Sequence, residues 1–294
     1  MNNKNPRLAF FRIHNQNPER EKVVRPLVEK FLAELKPYFL FSFAEVFYQP
    51  ELFPVSVREK MRAKRIVDQI AHDFRVYKGS HAQLPFFQNF FLQLRNWAAF
   101  WYKFLVRVPF LRKDIKKIAR RSSYSRAAEL YLTNKHIRAW EMFMESGADY
   151  GIFLEDDAVP NLHSLPRFQD FFSALEANRT QEKEGVFLIL SYGLEPLEQG
   201  EIFERKNEEF IFYKRPVTLG SVAYVMDRKM MAKVLKIVYR NPEYRKIPAD
   251  WLLNQILMDL KPKNGTYLCF LAQPAVFDHA LYPGGNQMLK STIS

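Results

Sequence analysis

A single cysteine, Cys269, is all the thiol this 294-residue chain contains, so no internal disulfide can form and nothing calls for an oxidising compartment. Set in the apolar stretch Tyr267-Leu268-Cys269-Phe270-Leu271, it reads as a small packed hydrophobe. Long apolar runs are missing as well: no stretch reaches the roughly 20 residues of a membrane span. The opening MNNKNPRLAFFRIHNQNPER lacks the basic start and unbroken apolar core of a signal peptide, which sets the expectation of a cytoplasmic protein. No repeat or low-complexity tract is evident, and zinc-finger spacing, an RNP-like aromatic motif and a Gly-rich phosphate loop are all absent. Acids are in deficit too. Against 32 Asp and Glu stand 44 Lys and Arg, and the resulting charge of +12 creates a field that draws anionic partners. Nucleic acid, an anionic membrane surface and a phosphorylated acceptor all fit that field; the missing motifs set the expectation of no nucleic acid.

With 48% hydrophobic residues the chain can close a sizeable core. Leu8 to Ile13 predicts a buried opening strand, followed by a polar turn from His14 to Pro18 and a helix through Leu35. Phe39 to Tyr48 is aromatic and mixed in pattern, and Val57 to Asp73 has helix-like spacing. From Glu129 to Ser146 the residues Leu132, His136, Ala139 and Phe143 fall on one helical face, with Gly147 placed to end it. Tyr150 to Leu154 predicts a short buried strand that delivers Glu155, Asp156 and Asp157; Phe187 to Ser191 and Gly220 to Met226 predict two more. Asp227 is placed to cap a helix whose apolar stripe is Met231, Val234, Leu235 and Val238, and a further helix begins after Pro248 near Ala249. Strands alternating with helices predict an α/β fold whose ligands gather at the carboxyl ends of the strands.

Leu84 to Arg121 stands apart: it packs aromatics and cations together with Asp114 as its only acid. Two readings fit, a helical subdomain resting its rings on the core, or an interfacial segment whose rings and snorkelling cations meet anionic lipid. The expected organisation is therefore residues 1–73, a basic aromatic helical insertion over 74–121, and a remainder over 122–294 carrying the acidic site.

Three consecutive acids after an apolar strand repel one another and call for a compensating cation. A hard divalent ion, magnesium or manganese, would supply it and leave positions for a diphosphate; a solvated acidic turn is the plainer reading. The stretch ELYLTNKHIRAWEMFMESGADYGIFLEDDAV, residues 129–159, resembles the central motif of glycosyltransferase family 25, the lipooligosaccharide galactosyltransferase type. Glu129, His136 and Trp140 keep that family's spacing ahead of the Leu154–Ala158 element. LGSVAYVMDRKMMAKVL resembles the family's later strand and helix, with Gly220, Ser221 and Tyr224 in place, and Pro248-Ala249-Asp250 resembles its Pro-x-Asp element. Gln273 to Val276, with Ser291 and Ile293, resembles its C-terminal elements. The departures are Ala128 to Leu132 and Lys135 where the family has Gly-Cys and Ser, and an opening pattern kept only at Ile13 and Arg20.

The resemblance covers about two-thirds of the chain and implies a GT-A-like fold with a mixed central sheet, a UDP-sugar donor, and inverting hexosyl transfer assisted by manganese or magnesium. Asp157 is the expected first metal ligand, with Glu155 or Asp156 at the donor ribose or at a metal-bound water; Glu155 and His279 are the further candidates for the metal shell, and Gly220, Ser221 and Tyr224 are expected at the donor. Asp250 is the expected base, with Glu129 and His136 beside it as catalytic candidates. Plainer roles stay open: helix capping for Asp250, a helix-start acid for Glu129, a satisfied core histidine for His136, and surface placement for His279. Lys214 and Arg215 read as phosphate contacts or as solvated charges, and Gly284-Gly285 as a loop near the site. The implied acceptor is a lipid-linked or lipooligosaccharide glycan at the inner membrane face, reached by a peripheral protein. A basic nucleic-acid binder and an inactive transferase-like scaffold are the competing classes. If the 84–121 segment docks on anionic lipid, deleting Leu84–Arg121 abolishes sedimentation with anionic liposomes; unchanged sedimentation refutes the membrane role.

Overall fold

A computed structural model describes residues 6–14, 17–47, 127–161, 164–178, 185–191, 202–207, 210–213, 221–260, 269–272 and 275–280. The boundaries expected near 73 and 121, the predicted Val57–Asp73 helix and the basic aromatic segment lie outside the described residues.

The opening strand β1 (Leu8–Ile13) is buried along its whole length because it lies between two parallel neighbours, β2 (Phe41–Val46) and β3 (Tyr150–Glu155). Helix α1 (Pro18–Leu35) makes the crossover from β1 to β2. Asn17 caps it by accepting from the Glu19 and Arg20 backbone N–H groups, Pro18 pre-sets its first turn, and Glu19 and Glu21 complement its dipole. Among the described residues strand β2 lies at one edge of the sheet, so its pattern is mixed rather than alternating: Ser42 and Phe43 are exposed and Val46 is buried. That is why Phe39 to Tyr48 carries no clean period.

Helix α2 (Ala127–Ser146) leads into β3 and is ended by Gly147 at φ +70°, the left-handed position a helix C-terminus favours. After β3 the chain makes a short strand, β4 (Ala158–Pro160), helix α3 (Ser164–Asn178) and strand β5 (Phe187–Ile189). A hairpin of β6 (Ile202–Asn207) and β7 (Phe210–Tyr213) follows. Strand β8 (Ala223–Asp227) feeds directly into α4 (Arg228–Arg240), capped by Asp227 through the Met230 N–H at 2.7 Å. A 3₁₀ segment (Pro242–Lys246), helix α5 (Ala249–Leu260), and strands β9 (Cys269–Ala272) and β10 (Phe277–His279) complete the described chain.

The main sheet runs β2-β1-β3-β8-β5-β9-β7-β6 and is mixed: β8 lies antiparallel to β3 and β5, while β5 and β9 are parallel. It is an α/β fold in which helices cover both faces of this sheet. On one face Phe11, Phe153, Tyr224 and Met226 meet α2, α4 and α5 through Trp140, Phe143, Val234 and Ile256. The predicted stripe Met231, Val234, Leu235 and Val238 is fully committed to this core. On the other face Phe10, Ile152 and Leu188 meet α1 and α3 through Phe31, Leu35, Phe168 and Phe172. Ring contacts such as Phe168–Phe172, with centroids 4.6 Å apart, give that layer its aromatic character.

The small second sheet pairs β4 with β10 in antiparallel fashion, with Ala158 opposite His279. It brings a residue from near the end of the chain to the turn that carries the acids. Among the described residues no helix is long and apolar enough to cross a membrane.

Two glycines separate conformational from steric need. Gly185 has φ +98°, and an added Cβ would lie 2.7 Å from the Met230 backbone nitrogen; Gly147 shares the left-handed backbone but faces open space. Gly185→Ala is expected to lose about 1–3 kcal/mol or more in urea unfolding, through strain plus the clash with α4. Gly147→Ala is expected to lose only about 1–2 kcal/mol from the backbone alone. Equal losses would show that the contact at Gly185 relaxes freely.

Candidate active site

Three parallel strands end at one level, because Ile13 pairs with both Val46 and Glu155 in register. The carboxyl end of β3 therefore emerges under the first turn of α1. Glu155, Asp156 and Asp157 are all buried there; Glu155 turns away from the other two, which share Arg20.

Glu155 turns to the α2 face. Its Oε1 lies 3.3 Å from His136 Nε2 and within hydrogen-bond reach of Ser221 Oγ. The antiparallel register of β8 explains the serine: β8 begins where β3 ends, and the Glu155 N–H donates to the Val222 carbonyl at 2.8 Å. Ser221 in turn donates to Asp250 Oδ1 through both its Oγ–H, at 2.7 Å, and its backbone N–H, at 2.9 Å. Asp250 stands in the first turn of α5.

Behind Glu155 the polar groups continue inward. Burial lowers the His136 pKa to about 3, outweighing the raising effect of Asp250, with Lys135 adding to the depression. A neutral imidazole carries one N–H, and the partners decide where it sits. Trp140 Nε1–H donates to Tyr224 Oη at 2.8 Å, and the Tyr224 hydroxyl donates to His136 Nδ1 at 2.7 Å, leaving Nε2–H to face Glu155. The His136–Glu155 contact is thus a hydrogen bond and not an ion pair. Burial, joined by the charges of Asp250 and Asp156, raises the Glu155 pKa to about 8 against the opposing pull of Ser221 and Arg20. Hydrogen counting agrees: Ser221 Oγ has one proton but lies against carboxyl oxygens of both Glu155 and Asp250, so a second proton belongs in the group.

Asp156 and Asp157 face α1. Arg20 Nη1 lies 2.6 Å from Asp156 Oδ1 and 3.1 Å from Asp157 Oδ2. His279 Nε2 approaches the same Asp157 Oδ2 at 3.5 Å, carried there by the β4–β10 pairing and the Ala280 N–H bond to the Asp157 carbonyl. Burial, together with Glu155, raises the Asp157 pKa to about 6, with His279 and Arg20 opposing.

A second ionic cluster holds α1 against β1. The buried Arg12 guanidinium makes a bidentate pair with Glu21, at 2.8 and 2.9 Å, and His14 lies 3.0 Å from Glu21 and 3.1 Å from Glu45. Lys135 Nζ donates to the His14 carbonyl; burial lowers its pKa to about 8 despite the nearby charges of Asp156 and Glu155. Sequence reasoning gave no role at the site to Arg12 or Lys135 and did not foresee the pairing of Arg20 with the acids. The available signals were a lone arginine inside the apolar strand LAFFRI, which must be paired if buried, and Arg20 as a surviving member of the opening pattern.

Asp157 Oδ1 is buried with no hydrogen-bond partner among the described residues, an orphaned carboxylate oxygen of the kind a hard cation satisfies. His279 lies beside the other oxygen of the same carboxylate, Oδ2, at 3.5 Å. The expected trio is not assembled: among the described residues no group of three or more His, Cys, Asp or Glu side chains is arranged to hold a metal, because Glu155 is turned toward His136 and Ser221. Asp156 is committed to Arg20, and Tyr224 is buried in the core behind His136. Glu129 lies in the first turn of α2, with its side chain outside the described residues. Gly220, Lys214, Arg215, Gly284, Gly285, Ser291 and Ile293 also lie outside the described residues.

No protein-family model matches the chain, and a search of curated proteins returns no match. Among solved structures, one described as a crystal structure of a glycosyltransferase involved in the glycosylation of the major capsid of PBCV-1 aligns over 98% of both chains, with TM-score 0.39 and 8% identity. A likeness of that size bears on neither the fold nor the chemistry of this protein.

The raised Glu155 pKa has a signed consequence. Its folded value of about 8 exceeds the ordinary 4.5, so between these limits the folded state holds the proton more tightly and stability falls as pH rises. Urea unfolding of the metal-free protein at pH 5, 6.5 and 8 is expected to show this decline, and Glu155→Gln to flatten it. Parallel slopes would mean Glu155 does not retain its proton.

Proposed function

We propose that this chain is a metal-assisted glycosyltransferase that moves a hexose, first galactose from UDP-galactose, with inversion onto a lipooligosaccharide or other bacterial surface glycan. The observation that carries this reading is the orphaned Asp157 Oδ1, on a carboxylate whose other oxygen faces His279 and Arg20, in a buried acidic cluster that extends through Glu155 and Ser221 to Asp250. The family-25 resemblance of residues 129–159 and 219–235 supports the same class.

A magnesium or manganese ion held through Asp157 and His279 would supply positive charge to the leaving diphosphate. The chain's own residues supply the rest. Asp250, oriented by two donors of Ser221, is the base that takes the acceptor hydroxyl proton. As the acceptor oxygen bonds to the anomeric carbon, the bond from that carbon to the diphosphate oxygen breaks and its electron pair leaves with the nucleoside diphosphate. Attack opposite the leaving group inverts the centre, and the proton on Asp250 passes to water. A Glu155 that keeps its proton spares the base a second adjacent negative charge. Arg20 neutralises the remaining acids from above. The basic segment 84–121 would rest on the anionic inner face of the cytoplasmic membrane, where a lipid-linked acceptor is presented.

Thermal unfolding against a panel of nucleotide sugars, with and without manganese, tests the reading. A donor at 100 times its Kd is expected to add about 2.7 kcal/mol, and Asp157→Asn to remove the manganese-dependent part. Asp250→Asn is expected to keep the donor shift but lose transfer by roughly 10²–10⁴-fold. No shift with any nucleotide would sink the proposal, and salt-dependent oligonucleotide binding in its place would favour a nucleic-acid partner.

A further inference from the structure

Arg20 stands in an unusual relation to the triplet. Its guanidinium is one-tenth exposed and touches two carboxylates at once, Asp156 at 2.6 Å and Asp157 at 3.1 Å. Its aim is built in: the backbone N–H of Arg20 is taken by the Asn17 cap, and the next residue, Glu21, is clamped bidentately by Arg12. The first turn of α1 is therefore tied to β1 on one side of Arg20 and capped on the other.

Asp157 divides its two oxygens. Oδ2 faces Arg20 and His279, whereas Oδ1 is buried with no hydrogen-bond partner among the described residues. A cation binding through Oδ1 would share one carboxylate with a fixed guanidinium, and like charges so placed repel. Asp156, fully buried, has that same guanidinium as a counter-charge. We propose that Arg20 is the built-in counter-ion of the acidic triplet, a positioning residue that holds Asp156 and Asp157 together and competes with a divalent cation for Asp157. This inference rests on the metal-assisted reading above for its choice of cation.

The consequence runs opposite to that of an ordinary structural residue. Loss of a merely structural contact would loosen the site and weaken ion binding; loss of a competing counter-ion tightens it. Manganese binding to the full-length protein, followed by the electron paramagnetic resonance of free Mn²⁺, reads the difference without any turnover. Arg20→Met is expected to bind Mn²⁺ roughly tenfold more tightly than the wild type, or better, and Arg20→Lys to stay near the wild-type affinity. Should Arg20→Met fail to fold because buried Asp156 has lost the guanidinium beside it, Arg20→Met/Asp156→Asn removes that charge and is compared with Asp156→Asn alone, with the same tightening expected.

The outcomes separate. Binding in the wild type with unchanged or weaker binding in Arg20→Met overturns the counter-ion role and leaves the metal-assisted reading standing. Binding only in Arg20→Met supports the counter-ion role and sinks metal assistance in the native protein. No binding in either protein overturns both.

Discussion

Repulsion among carboxyl groups crowded at the end of one buried strand is the constraint on which the rest of this structure depends. Glu155, Asp156 and Asp157 follow one another with little access to water, and Asp250 is joined to them through Ser221. Adjacent buried charges of one sign cannot all persist, so each acid needs its own remedy. Burial beside Asp250 and Asp156 pushes Glu155 toward its neutral form, Asp156 takes Arg20, and Asp157 divides itself between Arg20, His279 and an oxygen left unpartnered among the described residues.

Those remedies account for features of the fold that would otherwise be arbitrary. Strand β8 runs antiparallel to β3, so its first residues arrive exactly at the level where β3 stops, and Ser221 lands against Glu155. The two-stranded sheet of β4 and β10 fixes His279 beside Asp157 by register. The buried Arg12–Glu21 pair breaks the apolar logic of β1, at a desolvation cost, but it clamps the helix turn from which Arg20 reaches the acids. The line from Trp140 through Tyr224 to His136 gives each of its own buried donors a partner and sets the imidazole tautomer that faces Glu155.

Much of the local structure could be read from residues alone. The opening strand, the helix after it, the helix ended by Gly147, the strand delivering the acids, and the Asp227-capped helix all carry periodic or capping signals several residues long. Strand β2, helix α3 and the β6–β7 hairpin were not anticipated. For β2 the reason is physical: an edge strand buries one side weakly, so neither alternation nor a solid apolar run appears. His136 illustrates the limit at the site. Its helical face predicts a satisfied core histidine and its motif predicts a place near the acids; the structure gives it both, fully buried and bonded to Glu155.

By itself the sequence determined which segments become strands and helices and that three acids share one strand end, because periodicity, caps and adjacency act over a few residues. It also implied, through net charge and crowding, that compensating cations must exist. Only the tertiary structure decided which cation meets which acid. Arg20 and Asp156 are 136 positions apart, and Asp157 and His279 meet across a two-strand ladder. Such pairings are set by strand order, register and the tilt of a capped helix, and no local spacing encodes them. The same holds for Glu155, whose adjacency to Asp157 suggested a shared ion but whose side chain follows the β8 register to Ser221 and His136 instead.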